Sequence, residues 1–174
     1  DMQLVFTEQG TAWVPEEMAR LDYFFGRMAG SSGSQEEAWG AEVVGKLSLK
    51  PSEYFARQCH VGASFIRPNE VKVRHLVGTD RIMWGSDYPH REASSPYSRE
   101  AIALAFAGVP RDEVEQMLSL NAAKLYGFDL EQLRPIADRI GPRVDEVYAG
   151  LAPGNLPADA AMCPAFAEYE FASN

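Results

Sequence analysis

A carboxylate standing just after a short, wholly apolar run is the pattern by which parallel α/β proteins place ligands and catalytic groups at the ends of their strands. Two positions in this chain fit it. Asp87 lies in Trp84-Gly85-Ser86-Asp87-Tyr88-Pro89-His90, after the apolar stretch Arg81 to Gly85, and Glu8 follows the apolar stretch Met2 to Thr7. If the two stretches are parallel strands, both carboxylates open onto one face. There they could share a divalent cation or act as acid and base. His90 is close enough in sequence to reach the same loop, and an imidazole there could bind metal, move a proton or grip a substrate.

Each of these residues also has a plainer reading. Asp87 beside Pro89 suits a turn cap whose side chain accepts backbone N–H bonds, and on spacing alone that reading comes first. Glu8 could instead pair with an arginine such as Arg20 or Arg57, and a loop histidine such as His90 commonly does no more than hydrogen-bond. His60, next to Cys59 in a strand-like stretch, reads as a core residue, and His75 as an exposed helix residue. The chain has no HxH, HExxH, GxSxG or phosphate-loop pattern, so serine-hydrolase and nucleotide-binding readings have nothing to rest on.

The elements that must position these groups follow from periodicity. Met2 to Thr7 reads as a buried strand closed by the Gln9-Gly10 turn, and Pro15 to Arg27 as a helix with Met18, Leu21, Phe24 and Phe25 at helical spacing. The flexible segment GSSGSQEE precedes a modest helix over Glu36 to Val44, and Pro51 starts a short helix leading to a strand near Cys59 to Phe65. Pro68 to Val77 reads as one helix stopped by Gly78, and Arg81 to Gly85 as another buried strand. Ser98 to Phe106 and Arg111 to Leu120 are helices separated by Gly108-Val109-Pro110, the second running on through Asn121 to Tyr126. Short apolar strands alternating with helices predict a parallel α/β sheet. Only about three strands are visible, so two sheet edges are left unpaired and the chain by itself is expected to be incomplete. Beyond Asp129 the character changes. Leu130 to Ala149 reads as one or two polar helices, and the Pro- and Ala-rich stretch Leu151 to Ala165 leads to an acidic, aromatic end (Glu168, Tyr169, Glu170, Phe171), expected to pack on its own domain or on a partner subunit.

Composition sets outer limits. With 174 residues, 46% hydrophobic and 11% aromatic, the chain can build a real core. A net charge of −9 offers no basic footprint for nucleic acid and little attraction to an anionic membrane. Cys59 and Cys163 belong to no CxxC pair, so a reduced, cytoplasmic setting is the expectation. No apolar run has the length of a membrane span.

Four blocks in order carry a family resemblance: LVFTEQGTAWVPEEMARLD (Leu4 to Asp22), KPSEYFARQ (Lys50 to Gln58), VGTDRIMWGSDYPH (Val77 to His90) and NAAKLYGFD (Asn121 to Asp129). Together they resemble the amidohydrolase-2 family, which includes aminocarboxymuconate semialdehyde decarboxylase and the resorcylate decarboxylases. The third block is the most specific. The resemblance implies a distorted (β/α)8 barrel, of the TIM type, holding one divalent metal, zinc in most members and manganese as the alternative. Residues 1–129 would be its C-terminal part and residues 130–174 an appended tail. Asp87 would be the metal-binding aspartate after the eighth strand. The family's other ligands, an HxH or ExH pair and a further histidine, would lie upstream of Asp1, so the site is expected to need the upstream part of the same barrel or a partner chain.

Glu8 falls where the decarboxylase branch carries a catalytic histidine. An imidazole accepts a proton near neutral pH, whereas a carboxylate, with an ordinary pKa of about 4.3, is a weaker base unless burial raises it. Arg20 matches an arginine that in the same branch binds a substrate carboxylate across a subunit interface, which implies a homodimer. The resulting expectation is a metal-dependent hydrolase or non-oxidative decarboxylase of a small carboxylate-bearing or cyclic substrate. Asp87 and Glu8 would be catalytic, with Asp87 also the metal ligand, and His90, Trp13 and Arg20 would contact substrate. The rival readings are a non-catalytic scaffold of the same family, and an unrelated α/β domain in which Asp87 only caps a turn.

Overall fold

Three apolar runs form the strands β1 (Leu4–Thr7), β2 (Cys59–Ala63) and β3 (Ile82–Trp84) of a computed structural model that describes residues 2–30, 35–151, 155–159 and 163–166. They pair in parallel in chain order, Thr7 opposite Gly62 and Ala63 opposite Trp84, so their C-terminal ends share one face. Parallel pairing demands long crossovers, and helices supply them. The first carries α1 (Trp13–Ala29), α2 (Gln35–Val44) and α3 (Pro51–Gln58), the second α4 (Pro68–Lys72) and α5 (Arg74–Val77). After β3 come α6 (Ser98–Ala105), α7 (Arg111–Glu115), a wider π-helical turn over Gln116–Leu120, and α8 (Asn121–Tyr126). The fold is mixed α/β with a small parallel sheet, consistent with part of a TIM-type barrel.

Alternation along the strands separates two faces. Phe6, Val61, Ala63, Ile82 and Trp84 pack with Val14 of α1, Phe55 of α3, Ile102 of α6 and Met117 of the π-turn. The opposite face carries Val5 beside His60 and Gly62 beside Met83. Asn121, 7% exposed, donates its side-chain amide to the carbonyls of Thr79 (2.7 Å) and Ile82 (2.6 Å), tying α8 to the entry of β3.

The stretch Pro68 to Val77 departs from the single helix its spacing predicts, breaking at Val73. In an unbroken helix Val71 and Val77 would stand about 120° apart around the axis. The break lets both face the core, 3% and 6% exposed, and leaves Leu76 in solvent. It also sets Arg74 to bond Glu113 of α7 at 2.5 Å.

Beyond Asp129 the chain forms α9 (Leu130–Ile140), capped by Asp129 accepting from Glu131 and Gln132 amides, and α10 (Val144–Ala149). Helix α9 leaves Leu130, Leu133, Ile136 and Ile140 exposed, whereas Val147 of α10 enters the main core. Cys163 and Ala165 pack with Phe65 and Ala101, so this part of the tail lies on its own domain. The acidic end from Glu168 to Phe171 lies outside the described residues, as does part of the GSSGSQEE segment. Among the described residues no helix is long and apolar enough to cross a membrane.

Candidate metal-binding and active site

Glu8 is the first residue past β1, and Asp87 follows Gly85 and Ser86 past β3. Both have left-handed backbones, φ 58° and 60°, and no other non-glycine residue described does. That conformation costs a residue with a side chain about 1 kcal/mol or more, and such strain gathers at functional sites. Here it accompanies a convergence: one ligand atom each from Glu8, Asp87 and His90 lie within 4.8 Å of one another. Asp87 Oδ1 is 3.2 Å from His90 Nδ1, with the Asp87 side chain only 12% exposed, while Glu8 and His90 open to solvent.

The turn itself is held without the Asp87 carboxylate. The Tyr88 amide donates to Ser86 Oγ, the His90 amide to the Asp87 carbonyl, and the Ser94 amide to the Ser86 carbonyl. The Asp87 side chain faces His90 instead, which is not what a simple turn cap does. Glu8 likewise pairs with neither Arg20 nor Arg57. Arg20 bonds Glu17, Arg57 bonds Gln58 and lies over the Tyr54 ring, and among the described residues Glu8 makes no hydrogen bond or ion pair.

Two adjoining clefts meet at these groups. One, of about 280 Å³, is walled by Glu8, Ser64, Arg67, Asp87, His90 and Glu92, with Pro164 of the tail. The other, of about 250 Å³, shares Glu8, Ser64 and Asp87 and runs over Gly62 and Met83. Arg67 is oriented by donating Nε to the Pro164 carbonyl (3.1 Å) with its guanidinium over Phe65. Glu70, 1% exposed, forms part of the first cleft's lining together with Gly10. Its Oε1 accepts from the Thr11 amide at 2.6 Å and its Oε2 from the Arg67 amide at 3.0 Å.

The structure thus brings together Glu8, Asp87 and His90, but not Trp13 or Arg20. Trp13 lines neither cleft. As the first residue of α1 it turns onto the apolar side of β1, its ring 5.4 Å from Phe6 and 6.5 Å from Phe55 and its buried Nε1 with no hydrogen-bond partner among the described residues. Arg20 lies about two turns further along the same helix, exposed, where it pairs with Glu17 at 2.6 Å and lies over Phe24. Sequence reasoning passed over Ser64, Arg67, Glu70 and Glu92. The signal for the middle pair was present: Arg67-Pro68-Asn69-Glu70 directly follows the central strand, so it had to lie on the ligand-bearing face.

A divalent ion fits this donor set. Two atoms each about 2.1 Å from one zinc ion stand no more than about 4.2 Å apart, and small side-chain rotations bring donors within 4.8 Å to that distance. Two carboxylates and one imidazole suit zinc or manganese equally by ligand type. A larger cavity, about 580 Å³, lies at the opposite ends of the strands, lined by Gln3, Arg57, His60, Arg81, Asn121 and Lys124. Three of its polar groups are engaged within the protein, since Asn121 holds the two carbonyls and His60 Nε2 meets Gln3 Oε1 at 3.2 Å. Burial, with Arg81 and Lys124 adding to it against Asp80, holds His60 below the usual histidine pKa, which agrees with a buried Nδ1 that has no partner among the described residues.

Residues 1–128 match the amidohydrolase family, and the chain belongs to it. A comparison with curated proteins finds no match.

Proposed function

We propose that the protein is a metal-dependent hydrolase or non-oxidative decarboxylase of the amidohydrolase type, acting on a small carboxylate-bearing or cyclic substrate. The observation that carries this reading is the convergence of Glu8, Asp87 and His90 at the ends of β1 and β3, with both acids in left-handed turns. Asp87, the more buried acid, would hold the divalent ion, zinc or manganese, with His90 and Glu8 as further donors. A divalent ion in such a site supplies Lewis acidity and a water of lowered pKa.

Asp87 orients His90 through its Nδ1, which leaves Nε2 uncommitted on a ring that lines the cleft. Glu8, uncommitted to any bond among the described residues, is placed to accept a proton from a reacting group or to contact substrate. We assign residues 1–129 to the C-terminal part of the barrel, with residues 130–174 as an appended segment. The upstream part of the barrel or a partner chain would close the sheet beside β1 and β3. We also read the protein as a homodimer related to the semialdehyde and resorcylate decarboxylases. Arg20, on the solvent side of α1, is available to reach a partner's site but not its own.

Elemental analysis of the full-length protein and its Asp87→Ala variant tests the reading. About one equivalent of zinc or manganese, lost in the variant, is the expected result. Metal-free preparations of both, well folded, would leave a family scaffold without catalysis.

A further inference from the structure

The carboxylate of Glu70 is almost fully buried, and burying a charge is costly unless it is well bonded. One of its oxygens acts locally, since Oε2 accepts from the Arg67 amide and caps the start of α4. The other reaches across 59 positions of sequence, Oε1 accepting from the Thr11 amide at 2.6 Å and lying 3.4 Å from Thr11 Oγ1. Thr11 is fully buried and sits three residues after Glu8. A cap alone would need only the first bond.

Gly10 makes the same point from the other side. A Cβ there would stand 2.4 Å from Glu70 Oε1, while Gly10 is not among the residues with positive φ. Its backbone therefore does not call for glycine; room for the carboxylate does. Glu8 has no bond of its own among the described residues, so its direction depends on how the loop after it is anchored.

We propose that Glu70 is a positioning residue for the site: its buried carboxylate ties the loop after β2 to the loop after β1 and so holds Glu8 in the turn that points it at Asp87. This rests on the metal-binding reading above. The contact sets the geometry of a ligand it never touches, as supporting residues of metal sites do.

The test is zinc affinity of the full-length protein, by competition with a chromophoric chelator well below the melting temperature, in Glu70→Gln, Gly10→Ala and the double variant. Glutamine keeps the volume but places an NH2 against one of two amide donors whichever way it lies. Each single change is expected to weaken zinc binding about tenfold or more, with the double variant no worse than the weaker single, because both disturb one contact. A lowered melting temperature with unchanged zinc affinity would make Glu70 only a helix cap and overturn the proposal, as would additive losses. If Glu70→Gln does not fold, Gly10→Ala alone decides, since its only clash is with the carboxylate. Asp87→Ala separates the two levels: zinc binding that survives it sinks the metal reading and this inference together, whereas loss in Asp87→Ala with none in the Glu70 and Gly10 variants sinks the inference alone.

Discussion

Replacing Asn121 by alanine removes a side-chain amide that donates to two carbonyls, Thr79 at 2.7 Å and Ile82 at 2.6 Å, from a residue 7% exposed. Each such bond contributes about 0.5–1.5 kcal/mol net, and a buried carbonyl left without a donor raises the loss. The two together give about 2–4 kcal/mol. The Asn121→Asp variant should lose more, because it sets carboxylate oxygens against two carbonyl oxygens with nothing to donate. Urea unfolding of the full-length protein followed by tryptophan fluorescence measures both. The consequence reaches the site, since Thr79 to Ile82 is the entry to the strand that ends at Asp87. A loss within about 0.5 kcal/mol for Asn121→Ala, the range of an ordinary surface change, would refute the argument.

Two further outcomes follow from charged and titrating groups. Asp22 of α1 accepts from the Ser52 amide (3.0 Å) and hydroxyl (2.6 Å), so it caps the first turn of α3 from a distance, and Asp22→Ala should cost about 1 kcal/mol at pH 7. Burial pushes the Asp22 pKa up, but the two Ser52 bonds and Lys50 outweigh it and the net direction is down. Its contribution is therefore present above the unfolded carboxylate value, about 3.9, and lost as pH falls through the folded one. Denaturation curves of the two proteins should draw together at low pH; an unchanged gap there would count against the contact. His60 has its pKa lowered by burial first, then by Arg81 and Lys124. The unfolded chain therefore takes up its proton before the folded one does, and stability should decline as pH falls from about 6.5 toward the folded value. His60→Gln, which can keep a bond to Gln3, should flatten that decline, and an equal slope in the variant would assign it to other groups.

The sequence by itself determined the elements and which of their ends matter. Runs at Leu4–Thr7, Cys59–Ala63 and Ile82–Trp84 read as strands, the helical spacings between them implied parallel pairing, and parallel pairing puts Glu8 and Asp87 on one face; only the burial expected of β1 failed, since its outer edge leaves Leu4 44% exposed. These are consequences of local periodicity and chain connectivity, which a linear reading contains. Tertiary structure alone decided the direction of each side chain. Trp13 and Arg20 stand seven positions apart, on nearly one side of a single helix, yet Trp13 at its start packs beside Phe6 and Phe55 while Arg20, about two turns on, reaches solvent and pairs with Glu17. Asp87 could have capped its turn until the bonds of Ser86 made that unnecessary. Glu70 reads locally as the third residue of a helix and nothing more; its bond to Thr11 exists because strand register brings two loops, 59 positions apart, to the same height. Contacts of that kind arise from long-range pairing, and no window of neighbouring residues encodes them.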